Sequence, residues 1–158
     1  MRSLPASLLP LTALVWVAAL ILAPLGLHRP ASVLPALTTY QASSVLCHQR
    51  AERSFKIAGV QMPVCGRCFG LYASGAAGAV AAWLRRSRRL CISPGMLKIA
   101  LVTAAMPILL SVGLEWIGMI QGSNFSRFLS ALPLGAAAGW LLQHIATEDR
   151  VASCAIIS

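Results

Sequence analysis

The stretch "VCGRCFGLYASGAAGAVAAWL", residues 64–84, decides the fold because it is almost wholly apolar and carries small residues at a fixed interval. Gly70, Ser74, Gly78 and Ala82 recur at every fourth position. Helices in lipid associate where small residues let their backbones approach closely. The stretch therefore predicts a transmembrane helix that packs on another helix along this face.

Three further segments are apolar over the length of about 17–25 residues that is needed to cross the hydrocarbon layer. These segments are residues 8–27, 97–120 and 128–145. The last one carries Ala131, Gly135 and Gly139 at the same spacing, so we expect it to pack on residues 64–84. The chain is 58% hydrophobic and only 11% charged. We expect an all-α integral membrane bundle of about four transmembrane helices, whose small-residue faces could also join copies into a homo-oligomer.

The net charge of +9 does not indicate a nucleic-acid partner, because the basic residues stand in short runs beside apolar spans and lack aromatic interleaving. The densest run is "RRSRR", residues 85–89, and basic loops stay on the cytoplasmic side. This places both termini in the cytoplasm and the connector after the first helix outside. We therefore predict a multi-pass protein of the cell inner membrane whose partner is the lipid bilayer.

The whole chain, residues 1–158, is predicted to form one membrane domain. Its parts are a signal-anchor-like first helix (8–27), an outer connector (28–62), a three-helix core (63–146) and a cytoplasmic tail (147–158). Val33, Leu34 and Leu37 have helical spacing, which predicts a short interfacial helix in the connector. Pro63 suits the first position of the next helix, where its missing N–H costs nothing.

Cysteine and histidine residues cluster around the connector and the start of the core. Cys47, His48, Cys65 and Cys68 form a potential four-ligand set for zinc, with copper or iron as alternatives. Cys65 and Cys68 share a face at a positive helix end, and together with Arg67 this should favour their thiolate forms. Two other hypotheses stay open: a thiol-disulfide oxidoreductase that uses Cys65 and Cys68 with Cys47, and a scaffold or accessory subunit with a static disulfide. The residues therefore leave open whether the protein is an enzyme.

Glu115 is the only acid inside any predicted span, and an ionisable group at that depth indicates a functional site. Its expected partner is Arg127, which follows a short turn, and Asn124 lies three residues before Arg127. These groups fall on the side of the membrane that carries the cysteines. The candidate catalytic residues are Glu115, Arg127, Arg53, Arg67 and Asn124, with a plain ion pair between two helices as the alternative explanation of Glu115 and Arg127.

Four blocks of sequence, "CHQ", "ERSF", "GVQMPVCGRCFGLY" and "SNFSRFLSALPLG", resemble in order and spacing the small membrane proteins grouped as domain of unknown function 2085. The resemblance covers residues 45–139 and implies a multi-pass membrane protein of unestablished activity. The family has an Asp-Gly pair where this chain has Glu115-Trp116. The matching positions are Cys47, His48, Gln49, Arg53, Ser54, Gln61, Pro63, Cys65, Arg67, Cys68, Gly70, Glu115, Asn124 and Arg127.

Overall fold

The computed structural model describes residues 7–85 and 94–147, which form five α-helices and one β-hairpin. The helices are α1 (Leu8–Gly26), α2 (Val33–Ser44), α3 (Gly66–Leu84), α4 (Pro94–Trp116) and α5 (Asn124–Thr147), and the strands are β1 (Ser54–Ile57) and β2 (Val60–Cys65). Short 3-10 turns precede α2 and β1. Cys91, Cys154, most of the arginine run and the tail from residue 148 lie outside the described residues.

Three of the helices in the described part of the chain are long and apolar enough to cross a membrane. They are Leu8–Gly26, Met96–Trp116 and Asn124–Ala146, which correspond to three of the four predicted spans. The fourth, α3, has 19 residues but is less apolar, because glycines, Ser74 and Arg67 take the place of larger apolar side chains. The helical membrane class is therefore confirmed, with a small two-stranded sheet that was not predicted from the sequence.

The centre of the bundle is the pair formed by α3 and α5, as the two small-residue faces predict. A Cβ placed on Gly78 would overlap the carbonyl oxygen of Ala136, and one placed on Gly139 would overlap that of Gly75. Helix α1 packs on α3, where the rings of Trp16 and Tyr72 meet edge to face, and α4 packs on α5. Both small-residue faces are used within one chain, so a homo-oligomer would need another surface or would displace this pairing.

The connector is a folded layer rather than a loop. Its predicted helix is present as α2, which packs against α1 and β2. Strands β1 and β2 run antiparallel, with Ser54 opposite Cys65 and Lys56 opposite Gln61. An aromatic cluster fixes this hairpin on the bundle, since Phe55 contacts Phe69 of α3 and Phe128 of α5. The hairpin therefore bridges the two central helices.

Pro63 does not begin a helix, and the prediction that it does is wrong. The residue is fully buried inside β2, and α3 begins three residues later at Gly66. The register of the hairpin shifts between Ser54 and Lys56, opposite the segment that holds Pro63. Proline supplies no N–H to a ladder and is tolerated at such irregularities.

The hairpin turn offers a test of local stability. Ala58 and Gly59 have φ values of 51° and 80°, the pair of positive angles that a type I′ turn requires. Alanine is strained there, whereas asparagine is favoured, so we expect Ala58→Asn to raise the free energy of unfolding by about 0.5–1 kcal/mol. Gly59→Ala should lower it, because nothing but the backbone angle opposes a Cβ at Gly59. Unfolding curves in detergent that rank the two variants in the opposite order would rule out this turn.

Candidate metal centre

Three cysteine sulfurs meet at the junction of the connector and the bundle. Cys47 follows α2, Cys65 is the last residue of β2, and Cys68 lies in the first turn of α3. Their Sγ atoms all lie within 4.8 Å of one another. All three are free thiols, so no disulfide joins any two of them. The loop after α2, the end of β2 and the start of α3 thus bring their sulfurs to one point.

The surroundings of the three sulfurs are apolar on one side. Cys47 packs in a core with Leu20 of α1 and Val64 of β2, and both of these side chains are fully buried. Trp16 and Tyr72 pack against the same core. Water therefore reaches the sulfurs poorly from the side of α1, and polar stabilisation must come from backbone amides and from the thiols themselves.

Backbone N–H groups and a neighbouring thiol stabilise negative charge on the sulfurs. The backbone N–H of Cys65 donates a hydrogen bond of 3.2 Å to Sγ of Cys47. A hydrogen bond with the Cys68 side chain lowers the pKa of Cys65 to about 5, and the backbone amides of Cys68 and Arg67 and the Cys47 side chain add to this effect, while burial opposes it. These contacts favour the thiolate form of Cys65, the form that binds metals and attacks disulfides.

His48 does not join the sulfur group. Its side chain is exposed, and the group of close ligand atoms in the described part of the chain contains only Cys47, Cys65 and Cys68. The next residue, Gln49, has a positive φ of 47°, which turns the chain directly after the Cys-His pair. The structure thus brings together three of the four sequence-predicted ligands.

A hydrogen-bonded loop holds Cys47 in place. The Gln49 side-chain amide donates to the carbonyl oxygen of Tyr40, and that of Gln61 donates to the carbonyl oxygen of Gln49, at 2.7 and 2.5 Å. The Tyr40 hydroxyl in turn donates to the carbonyl oxygen of Gln61. Because these bonds tie α2 to β2 on either side of Cys47, Gln49 and Gln61 position the sulfur.

The Arg67 side chain points to α4 and not to the sulfurs. The sequence predicted that its charge would favour the thiolates, but the charge is paired with Glu115 instead. Its Nη2 lies 2.7 Å from Oε1 of Glu115 and donates to Oγ of Ser111 at 3.2 Å, both on α4. Successive residues of a helix are separated by about 100°, so Arg67 and Cys68 leave α3 in different directions. The effect of Arg67 on Cys65 comes from its backbone amide.

Glu115 joins two arginines, in a group we call the charged cluster: Arg67, Glu115 and Arg127. The Nε atom of Arg127 lies 3.2 Å from both carboxylate oxygens of Glu115, so the predicted pairing is present. The three side chains are only 15%, 10% and 11% exposed, in the order of the chain. The cluster is thus a nearly buried ion triad that links α3, α4 and α5 at one end of the bundle.

Asn124 connects the charged cluster to the hairpin. Its Oδ1 accepts a hydrogen bond of 3.2 Å from Nη1 of Arg127, and its Nδ2 donates one of 3.0 Å to the carbonyl oxygen of Ser54. Ser54 pairs with Cys65 across the hairpin. A continuous path of contacts therefore runs from Glu115 to the residue that carries the thiolate.

The remaining candidate, Arg53, lies apart from both groups. It ends the 3-10 turn before β1 and is half-buried, and within residues 7–85 and 94–147 its guanidinium has no hydrogen-bond or ion-pair partner.

Two residues next to the charged cluster were not predicted from the sequence. Ser111 lies four residues before Glu115, a spacing that places both on one helix face and could have indicated it. Gly122 lies against the Glu115 carboxylate, so closely that a Cβ added to it would overlap Oε1. Nothing in the sequence around Gly122 indicates this contact.

The fold, the sulfur group and the charged cluster define a helical membrane protein with a partly buried thiol cluster at one end of its bundle. The family described as "Predicted membrane protein (DUF2085)" matches residues 47–141, and the chain belongs to this family. The matched region begins at Cys47 and contains every residue of the sulfur group and of the charged cluster. It leaves out α1 and α2, so the family signature is centred on the site.

One relative is the uncharacterized protein MJ1492 of Methanocaldococcus jannaschii, which is 30% identical over 100 residues. The match covers 63% of this chain and 63% of that protein. No solved structure matches. These comparisons agree with the membrane class and assign no reaction.

Proposed function

We propose that this chain is a multi-pass membrane protein that binds one thiophilic transition-metal ion through Cys47, Cys65 and Cys68. The observation that carries the proposal is the convergence within 4.8 Å of three free sulfurs, from the loop after α2, the end of β2 and the first turn of α3. Cys65 and Cys68 are neighbours in sequence, but Cys47 comes from 18 residues before Cys65, and an unrelated cysteine has no reason to meet them. The backbone amide donor to Cys47 and the lowered pKa of Cys65 support the charge state that ligation needs.

The donor set selects the kind of metal. Three thiolates without a carboxylate or imidazole suit soft ions, of which zinc is our assignment and Cu(I) the nearest competitor. Zinc is normally four-coordinate, and sites with three protein ligands keep the fourth position open for water or a substrate. A site with three sulfur ligands is therefore more typical of a metal ion that is exchanged or takes part in a reaction than of a purely structural ion.

The proposal includes α3 as a fourth membrane span. Its 19 residues would extend about 28 Å at about 1.5 Å per residue, close to the thickness of the hydrocarbon layer. Its lower hydropathy is tolerable because α1 and α5 cover two of its sides, and Arg67 lies at its end. With the basic loop after α3 in the cytoplasm, the sulfur site faces outward and both termini lie on the cytoplasmic side of the cell inner membrane.

The metal content of purified protein tests the proposal. We expect about one zinc ion per chain, and we expect Cys65→Ser/Cys68→Ser to retain less than about a tenth of it, since removal of two of three ligands abolishes the site. His48→Ala serves as the matched control and should keep the full content, because His48 is exposed and outside the sulfur group. Metal-free protein in which Cys47, Cys65 and Cys68 all titrate as thiols would refute metal binding. Loss of metal in His48→Ala would refute the three-sulfur assignment.

A second candidate function rests on the low pKa of Cys65. The Cys65 thiolate, which its surroundings favour, can attack a substrate disulfide, and the Cys68 thiol within 4.8 Å can then displace the mixed disulfide. The enzyme dithiol becomes a Cys65–Cys68 disulfide, and the substrate disulfide leaves as two thiols. Alkylation mapped by mass spectrometry after oxidant and after reductant distinguishes this activity. Cysteines that show the same modification under both conditions would exclude it.

A further inference from the structure

The charged cluster carries more positive than negative charge. Arg67 and Arg127 share the one carboxylate of Glu115, so the three nearly buried side chains have a net charge of +1. Their other close partners, Ser111 and Asn124, are neutral. Because a poorly solvated charge is unfavourable unless it is compensated, the cluster lacks one negative charge.

Several of its hydrogen-bond donors are also unused. Nε of Arg67 is buried and has no partner among the described residues. Arg67 uses only Nη2, and Arg127 uses Nε and Nη1, in the hydrogen bonds of the described ranges. This leaves N–H groups on both guanidiniums for an acceptor. The planar fork of arginine matches the oxygens of phosphate and carboxylate groups, which can accept two bonds at once.

Two helix ends add to the positive field. Arg67 is the second residue of α3 and Arg127 the fourth of α5, so both lie in first turns, where the backbone carries partial positive charge. The start of α5 is capped by Ser123, whose Oγ accepts the N–H of Ser126 at 3.1 Å. Glu115, in the last turn of α4, is the anionic group of the charged cluster that opposes this field.

We propose that the charged cluster binds a phosphate-type oxyanion, which supplies the missing negative charge and accepts the unused guanidinium N–H groups. Two sources offer this chemistry: free phosphate, and the phosphate of an anionic lipid headgroup, since the cluster lies at the ends of apolar helices. Glu115 then holds the two arginines apart and in register. This site is separate from the sulfur group and does not depend on metal binding.

The test uses delipidated full-length protein in phosphate-free detergent solution. Thermal unfolding is followed against inorganic phosphate, and native mass spectrometry compares retention of phosphatidylglycerol with that of phosphatidylcholine. Arg127→Gln should weaken the apparent affinity for the anion about tenfold or more, since it removes charge-assisted hydrogen bonds. Glu115→Gln should strengthen it severalfold, because it removes the competing carboxylate. Arg50→Gln, at a side chain that is 60% exposed, is the control and should change nothing.

The arms of the test separate the two sources. A rise in unfolding temperature with phosphate indicates a free-anion site, and selective retention of phosphatidylglycerol without that rise indicates a lipid headgroup; both results support the proposal. If Arg127→Gln does not fold, Arg67→Lys replaces it, since it keeps the charge but loses the fork, and it should also weaken binding. If neither ligand binds the wild type, the cluster is a structural ion triad and the proposal is wrong.

Discussion

Glu115→Leu is expected to lower the free energy of unfolding by about 3–5 kcal/mol, the loss that follows when one partner of a buried ion cluster is removed. The variant leaves Arg67 and Arg127 facing each other at exposures of 15% and 11%, with no carboxylate between them. Denaturation in mixed detergent micelles, without phosphate, measures the change.

A matched control for Glu115 is the exposed acid Glu52, whose carboxylate lies 4.0 Å from Arg50 with both side chains more than half exposed. Glu52→Ala should cost less than about 0.5 kcal/mol, because exposed pairs contribute little. The triple variant Arg67→Met/Glu115→Leu/Arg127→Leu should recover much of the stability, since it removes the charges together. Equal effects of Glu115→Leu and Glu52→Ala would contradict the buried triad.

The second large effect concerns the contact between α3 and α5. We expect Gly139→Ala to lower the free energy of unfolding by about 3 kcal/mol, near the upper end of the usual cost of overpacking. The added Cβ would overlap the carbonyl oxygen and carbonyl carbon of Gly75, and these backbone atoms cannot rotate away as a side chain would. Unfolding measured in the same micelles checks the value.

Gly113→Ala provides the control for the second prediction, because Gly113 lies inside α4 and a Cβ added there would meet no described atom within 4 Å. Alanine is the better helix former, so this change should raise stability by about 0.5–1 kcal/mol. The two substitutions therefore differ in sign. A similar loss in both would mean that α3 and α5 do not meet at Gly139.

The pairing of α3 and α5 could be predicted from the sequence because small residues at every fourth position of a membrane helix typically form a helix–helix contact. The contact between Glu115 and Arg127 was predictable for a related reason, since a carboxylate inside a span requires a nearby cation. Each feature follows from one strong requirement, close backbone approach in the first case and compensation of a buried charge in the second. Neither inference needed knowledge of the connector.

The hairpin was missed although its pattern is present. Apolar residues alternate at Phe55 and Ile57, then at Val60, Met62 and Val64, with Ala58 and Gly59 as the two turn residues between them. This pattern indicates a hairpin. Interpreting Pro63 as the start of a helix concealed it, because an early helix removes the second strand.

The direction of individual side chains was the least predictable feature. Arg67 stands between two cysteines in sequence, yet its guanidinium pairs with α4. His48 follows Cys47 directly, yet it lies outside the sulfur group because neighbouring side chains point apart where the chain turns. Sequence proximity identifies the residues of a site, whereas backbone geometry decides which of them meet.

X-ray absorption at the metal edge of the purified protein tests the central claim most directly, because it reports the ligand atoms themselves. The three-sulfur assignment predicts a first shell dominated by sulfur at about 2.3 Å from zinc, with at most one lighter ligand. The same spectrum should be unchanged in His48→Ala. A first shell made of nitrogen and oxygen, or imidazole scattering that disappears in His48→Ala, would contradict the account.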